Sequence, residues 1–279
     1  MYRQTAADLS VVRDDPGALE LARSLNTLLG RAHNLVYAGG AQPRRGIIHF
    51  YARVFPGIFR ATLPYTLAAF ALFAAGLIGG AALTWADPAF ARLFLGPPML
   101  DTIERGTMWT HSIVSVKPLA SSAITTNNLA VSFSIFAGGM LGGLGTVYML
   151  VLNGALMGVI TVACQRAGMS LSLWSFVATH GALELTAIFI AGGGGLLIAR
   201  GILVPGFLSR RDSLVDAAAV AIRLVLGVIP LLIVAGLIEG FLSPTDAPPT
   251  MKFAVGASLF VLLAAYVSLV PSAKSDSAP

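Results

Sequence analysis

Residues 127–164 read NNLAVSFSIFAGGMLGGLGTVYMLVLNGALMGVITVAC, a run without one charged side chain. As a single helix it would extend about 57 Å at about 1.5 Å per residue, nearly twice a hydrocarbon core of about 30 Å. Its middle carries Gly138, Gly139, Gly142, Gly143 and Gly145. The stretch therefore predicts a hairpin of two short apolar helices that turns near Leu144–Thr146. A hairpin that enters and leaves on one side of a membrane is the rival reading of the same residues.

The neighbouring sequence has the same character. Leu63–Trp85 is another uncharged apolar run, long enough to cross a bilayer, and Leu171–Ala199, Ala217–Phe241 and Phe253–Val270 follow downstream. The whole chain of 279 residues is 56% hydrophobic and 11% charged, with a mean hydropathy of +0.80. A soluble domain carries about 25% charged residues, so this chain lacks the polar side chains to cover a water-facing surface. Disorder is excluded on the same grounds. The fold class is an all-α integral membrane protein with about six transmembrane helices, the second and third forming the Gly-rich hairpin.

Three regions are expected. Residues 1–60 form a cytoplasmic amphipathic helical region, residues 61–271 the transmembrane helical domain with an outer loop at 86–126, and residues 272–279 a cytoplasmic tail. In the first region, Tyr2–Arg13 and Ala18–Tyr37 read as helices, the second with Leu21, Leu25, Leu28, Leu29, Ala32 and Val36 at three- and four-residue steps. The outer loop has Pro97 and Pro98 before a short helix at Met99–Gly106, followed by Trp109 at the expected interface. Met1–Gln4 opens no apolar h-region, so no cleavable signal peptide is expected.

The basic residues orient this topology. Six spans with the N-terminus inside place twelve Lys and Arg residues in inner segments, Arg223 near an inner span end, and Arg92, Arg105, Lys117, Arg166 and Lys252 outside. The excess of inner basic residues fits a bacterial cytoplasmic (inner) membrane protein with both termini cytoplasmic. This sorting also explains the net charge of +5 without nucleic acid, for which no basic patch interleaved with aromatics is present. The lone Cys164 has no internal disulfide partner.

An ionisable group inside a bilayer is costly and marks a site by default. Glu184 falls in the fourth span and Glu239 near the outer end of the fifth; His180 precedes Glu184 by one helical turn and shares its face. Asn128 opens the second span and Asn153 lies in the third. A cluster of His180, Glu184, Glu239, Asn128 and Asn153 has three readings: hydrogen bonds that fix helix packing, a proton or ion pathway, or a metal or hydrolytic site. His-x-x-x-Glu alone supplies two ligands, and no HExxH, GxSxG or phosphate-binding loop occurs. The expectation is no catalytic residue, no metal and no cofactor, which points away from an enzyme. Isolated His33, His49 and His111 read as surface or cap residues.

The pairs Gly138/Gly142, Gly139/Gly143, Gly76/Gly80 and Gly236/Gly240 have the four-residue spacing that lets helix backbones approach closely. These faces permit a homo-oligomer. Gly192–Gly195 reads as close packing, with a broken helix lining a substrate site as the alternative.

The order of these motifs resembles the stage II sporulation protein M family of polytopic bacterial membrane proteins. The resemblance rests on Thr126-Asn127-Asn128, Gly143-Leu144-Gly145-Thr146 ahead of Asn153-Gly154, His180-Gly181-Ala182-Leu183-Glu184, Pro205 and Ile238-Glu239. Tyr2-Arg3, Ala7-Asp8-Leu9, Leu25-Asn26 and Arg31-Ala32-His33 add to it. It implies the polytopic architecture and, by analogy with the namesake, a membrane component acting with cell-wall-cleaving partners and without enzymatic activity of its own. Nothing in the sequence indicates sporulation. The expected function is a non-enzymatic scaffold or assembly component of an envelope or cell-wall-remodelling complex, with the bilayer and envelope proteins as partners. The alternative is a proton- or ion-coupled transporter or channel using His180, Glu184 and Glu239.

Overall fold

The computed structural model describes residues 46–108 and 117–269. The expected helices at 2–13 and 18–37, His33, Trp109, His111 and the tail from 270 lie outside the described residues. The chain divides into two units, Met1–His49 and Phe50–Pro279. In the first, Gly46–His49 forms one helical turn.

The second unit is helical throughout its described elements. A π-helical turn at Phe50–Val54 leads into α1 (Phe55–Ala61) and α2 (Leu63–Ala86). Two short helices, α3 (Pro88–Leu95) and α4 (Pro97–Glu104), follow, then α5 (Lys117–Ala137), α6 (Leu144–Arg166), α7 (Ser170–Leu203), α8 (Arg210–Phe241) and α9 (Pro249–Leu269). Among the described residues, five helices are long and apolar enough to cross a membrane: α2, α6, α7, α8 and α9.

α7 is the central helix. It packs against α2, α5, α6, α8 and α9, and two thirds of its apolar window is buried. Its 34 residues form one continuous helix through Gly192–Gly195, so the alternative of a break there is not what folds. The glycines are packed instead: a Cβ on Gly193 would lie 2.9 Å from Thr66 N, and one on Gly195 would lie 2.9 Å from Ile135 O. Around α7, Leu183, Ala187 and Ile190 meet Leu224, Val228, Leu232 and Ala235 of α8 in the main apolar core.

The hairpin turns earlier than expected. α5 ends at Ala137, a 3₁₀ turn covers Gly138–Leu141, and α6 starts at Leu144. Gly142 (φ 64°) and Gly143 (φ 89°) take the left-handed conformation. Side chains with a Cβ are strained there, so these two adjacent glycines fix the reversal, and Gly143 also packs closely on α7, where a Cβ would lie 2.9 Å from Ala199 Cβ. Gly138 and Gly139 do approach neighbouring backbone, at Gly145 and Gly195.

α5 begins at Lys117, ten positions before the uncharged run. It lies antiparallel to α8: Ser121 meets Gly240, Thr125 meets Gly236, and Phe136 lies with Ala221 beside Gly194. Residues 221–240 of α8 span about 28 Å, so α5 runs beside α8 for nearly the thickness of a hydrocarbon core of about 30 Å. The other close interface joins α2 to α6, where Gly76 and Gly80 face Val151 and Ala155, while Gly154 and Gly158 face Phe73 and Leu77.

Candidate functional site

Asn128 on α5, His180 and Glu184 on α7, and Glu239 on α8 converge inside the bundle. The three helices differ in how they deliver them. His180 and Glu184 are one turn apart on the face of α7 that meets α8. Glu239 sits in the last turn of α8, beside Gly240, whose missing side chain lets α5 approach at Ser121. Asn128 is on the part of α5 that this contact brings inward.

His180 Nε2 lies 3.7 Å from Glu184 Oε2 and 3.9 Å from Glu239 Oε2. One ligand atom from each of the three residues fits within 4.8 Å of the others. Both Glu184 Oε2 and Glu239 Oε2 are buried and accept no hydrogen bond. Asn128 is 9% exposed and its carboxamide approaches Glu239, yet Nδ2 has no partner within 3.5 Å. A buried polar atom without a partner costs about 1–3 kcal/mol, and three of them meet at this spot.

The other face of the imidazole is fully occupied. His180 Nδ1 lies 3.0 Å from Ser243 Oγ, and Ser243 Oγ also contacts Thr179 Oγ1. Thr179 Oγ1 donates to Phe176 O at 2.6 Å, which uses its single hydrogen. Ser243 Oγ also lies 3.3 Å from Ile238 O, and the donor in the His180–Ser243 contact follows the ring tautomer: with the hydrogen on Nδ1 the ring donates to Ser243, and with it on Nε2 the ring accepts. In the first tautomer the neutral ring turns a bare Nε2 toward the two carboxylates.

Behind Ser243 stands Lys252. It was expected in an outer loop, but its side chain is buried. Its Nζ donates to Ser243 O and Thr245 O, both at 2.7 Å. A cation on these carbonyls, just beyond the C-terminal end of α8, satisfies both acceptors and complements the helix dipole. Ser243, Thr245 and Lys252 also line a cavity of about 210 Å³ together with Met169, Ser172 and Asp246. Ser243 is thus both a wall of that cavity and the partner of His180.

Asn153 stands apart from these contacts. It is half-buried, and its Nδ2 donates to Met149 O at 2.7 Å within α6. Thr179, Ser243 and Lys252 were not singled out from the sequence. Thr179 adjoins His180, and Ser243 follows Glu239 by four positions, the spacing that keeps it near the same helix face.

A bundle of long apolar helices around one buried polar group defines a polytopic α-helical membrane protein. Residues 69–244 match the family described as Stage II sporulation protein M, which is more than half of the chain. The chain belongs to that family. No curated protein and no solved structure matches it.

Proposed function

We propose that the chain is a multi-pass protein of the bacterial cytoplasmic membrane that acts as a non-enzymatic assembly component of a cell-envelope complex. Family membership supports the architecture, and the observation that carries the orientation is the sorting of charge between the two ends of the bundle. The end with the hairpin turn carries Arg60, Arg200, Arg210 and Arg211 against Asp212 and Asp216. The opposite end sets Arg92, Arg105, Lys117, Arg166 and Lys252 against Asp87, Asp101, Glu104 and Asp246, a net of one positive charge. The basic end faces the cytoplasm by the positive-inside rule. With α5 crossing beside α8, six helices pass between the ends and both termini are cytoplasmic.

On the outer side, α3 and α4 form a small platform against the end of α6, tied by Arg92 to Asp101 at 3.1 Å and to Glu104 at 3.7 Å. Leu93 remains 83% exposed there, which suits contact with lipid or an envelope partner. Crosslinking in intact cells, followed by mild detergent extraction and pull-down, tests the role. Reproducible recovery of envelope proteins is expected; recovery of the chain alone refutes it.

A second reading, passage of protons or ions through His180, Glu184 and Glu239, is favoured by the unpartnered carboxylate oxygens. It expects a proton- or ion-driven flux in proteoliposomes that Glu184→Gln abolishes. No flux in the wild type under any imposed gradient refutes it.

A further inference from the structure

We propose that His180, Glu184 and Glu239 bind one divalent transition-metal cation of the Zn²⁺ class within the membrane domain. This goes beyond the assembly role and does not depend on it.

The argument is one of hydrogen accounting. In the tautomer the proposal uses, with Nδ1–H donating to Ser243, three Lewis-basic atoms face one another: His180 Nε2, Glu184 Oε2 and Glu239 Oε2. No hydrogen-bond donor reaches Glu184 Oε2 or Glu239 Oε2 within 3.5 Å. With both carboxylates ionised the pocket holds acceptors alone, and a cation satisfies it. A shared proton requires about 2.5–3.2 Å between heavy atoms, and the separations of 3.7 and 3.9 Å exceed that. A metal ion bridges a wider gap. Ligands each about 2.1 Å from a tetrahedral or trigonal ion lie about 3.4–3.6 Å apart, a few tenths of an ångström below the two separations from His180, and all three ligand atoms lie within 4.8 Å of one another.

Charge and ligand type agree with this. Two carboxylates and a neutral imidazole around a divalent ion sum to zero, which removes the large cost of holding bare charge in an apolar interior. One nitrogen and two oxygen donors suit Zn²⁺ and its neighbours, whereas Ca²⁺ takes six to eight oxygens. The supporting contacts are those of a ligating histidine, whose second nitrogen is held by a hydrogen bond that fixes the tautomer. Ser243 supplies that bond. Asn128, nine-tenths buried and with Nδ2 unpartnered, is placed to orient the Glu239 carboxylate.

The test uses the full chain purified in detergent, stripped with a chelator, loaded with Zn²⁺ and desalted. Elemental analysis is expected to find one ion per chain. His180→Ala and Glu239→Gln are expected to bring this near zero, and Ser243→Ala to weaken affinity by about 10–100-fold with the stoichiometry kept. Where a triad variant does not yield monodisperse protein, wild-type protein loaded with Co²⁺ carries the test: a tetrahedral nitrogen–oxygen ligand field in its visible spectrum supports the site. Wild-type protein that retains no stoichiometric Zn²⁺ or Co²⁺ overturns the proposal, as does binding that folded triad variants leave unchanged. Loss of the assembly role would show in the pull-down with metal binding intact, so the two failures are distinguishable.

Discussion

Gly79 and Gly80 are adjacent in α2, and replacing each with alanine should have opposite effects. A Cβ on Gly80 would overlap Ala155 O and would lie 2.8 Å from Ala155 Cα and 2.9 Å from its carbonyl carbon. Those are backbone atoms of α6, so no side chain can turn away, and the two helices must move apart by roughly 0.5–1 Å. A gap of that size forfeits about a quarter to a half of each dispersion contact along the interface. Overpacking of this kind costs about 1–3 kcal/mol, and the upper half of that range is expected because Gly76, Gly154 and Gly158 share the same seam. A Cβ on Gly79 meets nothing within 4 Å, so Gly79→Ala removes only the glycine's excess chain entropy. It is expected to be neutral or to stabilise by up to about 1 kcal/mol. Thermal unfolding of both variants in the same detergent, followed by loss of monodispersity, reads the difference. A Gly80→Ala variant as stable as Gly79→Ala would refute the close α2–α6 packing.

Three further outcomes follow from single contacts. Lys252→Met leaves Ser243 O and Thr245 O without their donor and is expected to destabilise by about 2–4 kcal/mol, read by the same unfolding assay. Gly142→Ala, at φ 64°, should cost about 1–2 kcal/mol through backbone strain, whereas Gly46→Ala, with nothing near its Cβ, should not; equal melting temperatures would count against the hairpin turn. Ser209→Ala removes the side-chain acceptor of Asp212 N at the start of α8 and is expected to cost about 1 kcal/mol, recovered by Ser209→Asp.

The features legible in the sequence were those set by composition and period. The uncharged runs marked the membrane helices because a charged side chain in lipid is costly, and α2 begins at Leu63 as read. His180 and Glu184 were legible as a shared face because four residues make one turn. Helix starts were missed where polar residues extend a helix beyond its apolar run. Lys117-Pro118 opens α5, and proline in a first turn is the signal that was available. Ser209-x-x-Asp212 likewise opens α8 seven residues before its apolar core. Leu144–Thr146 is the middle of the uncharged run 127–164, whereas two consecutive left-handed residues place the turn at Gly142–Gly143. Lys252 was assigned to a loop by its charge, and its burial depends on carbonyls nine and seven residues earlier in the chain. Such a pairing has no local period. Nor does the meeting of His180 with Glu239, which depends on how α7 and α8 pack.

That meeting is the centre of the account, and a double-mutant cycle between His180 and Glu239 measures it most directly. Unfolding free energies of wild type, His180→Gln, Glu239→Gln and the double variant should show a coupling of at least about 0.5 kcal/mol, as contacting residues do. The control cycle between Asn153, bonded within its own helix, and Glu239 should be additive to within about 0.5 kcal/mol. An additive His180–Glu239 cycle would contradict the polar site itself.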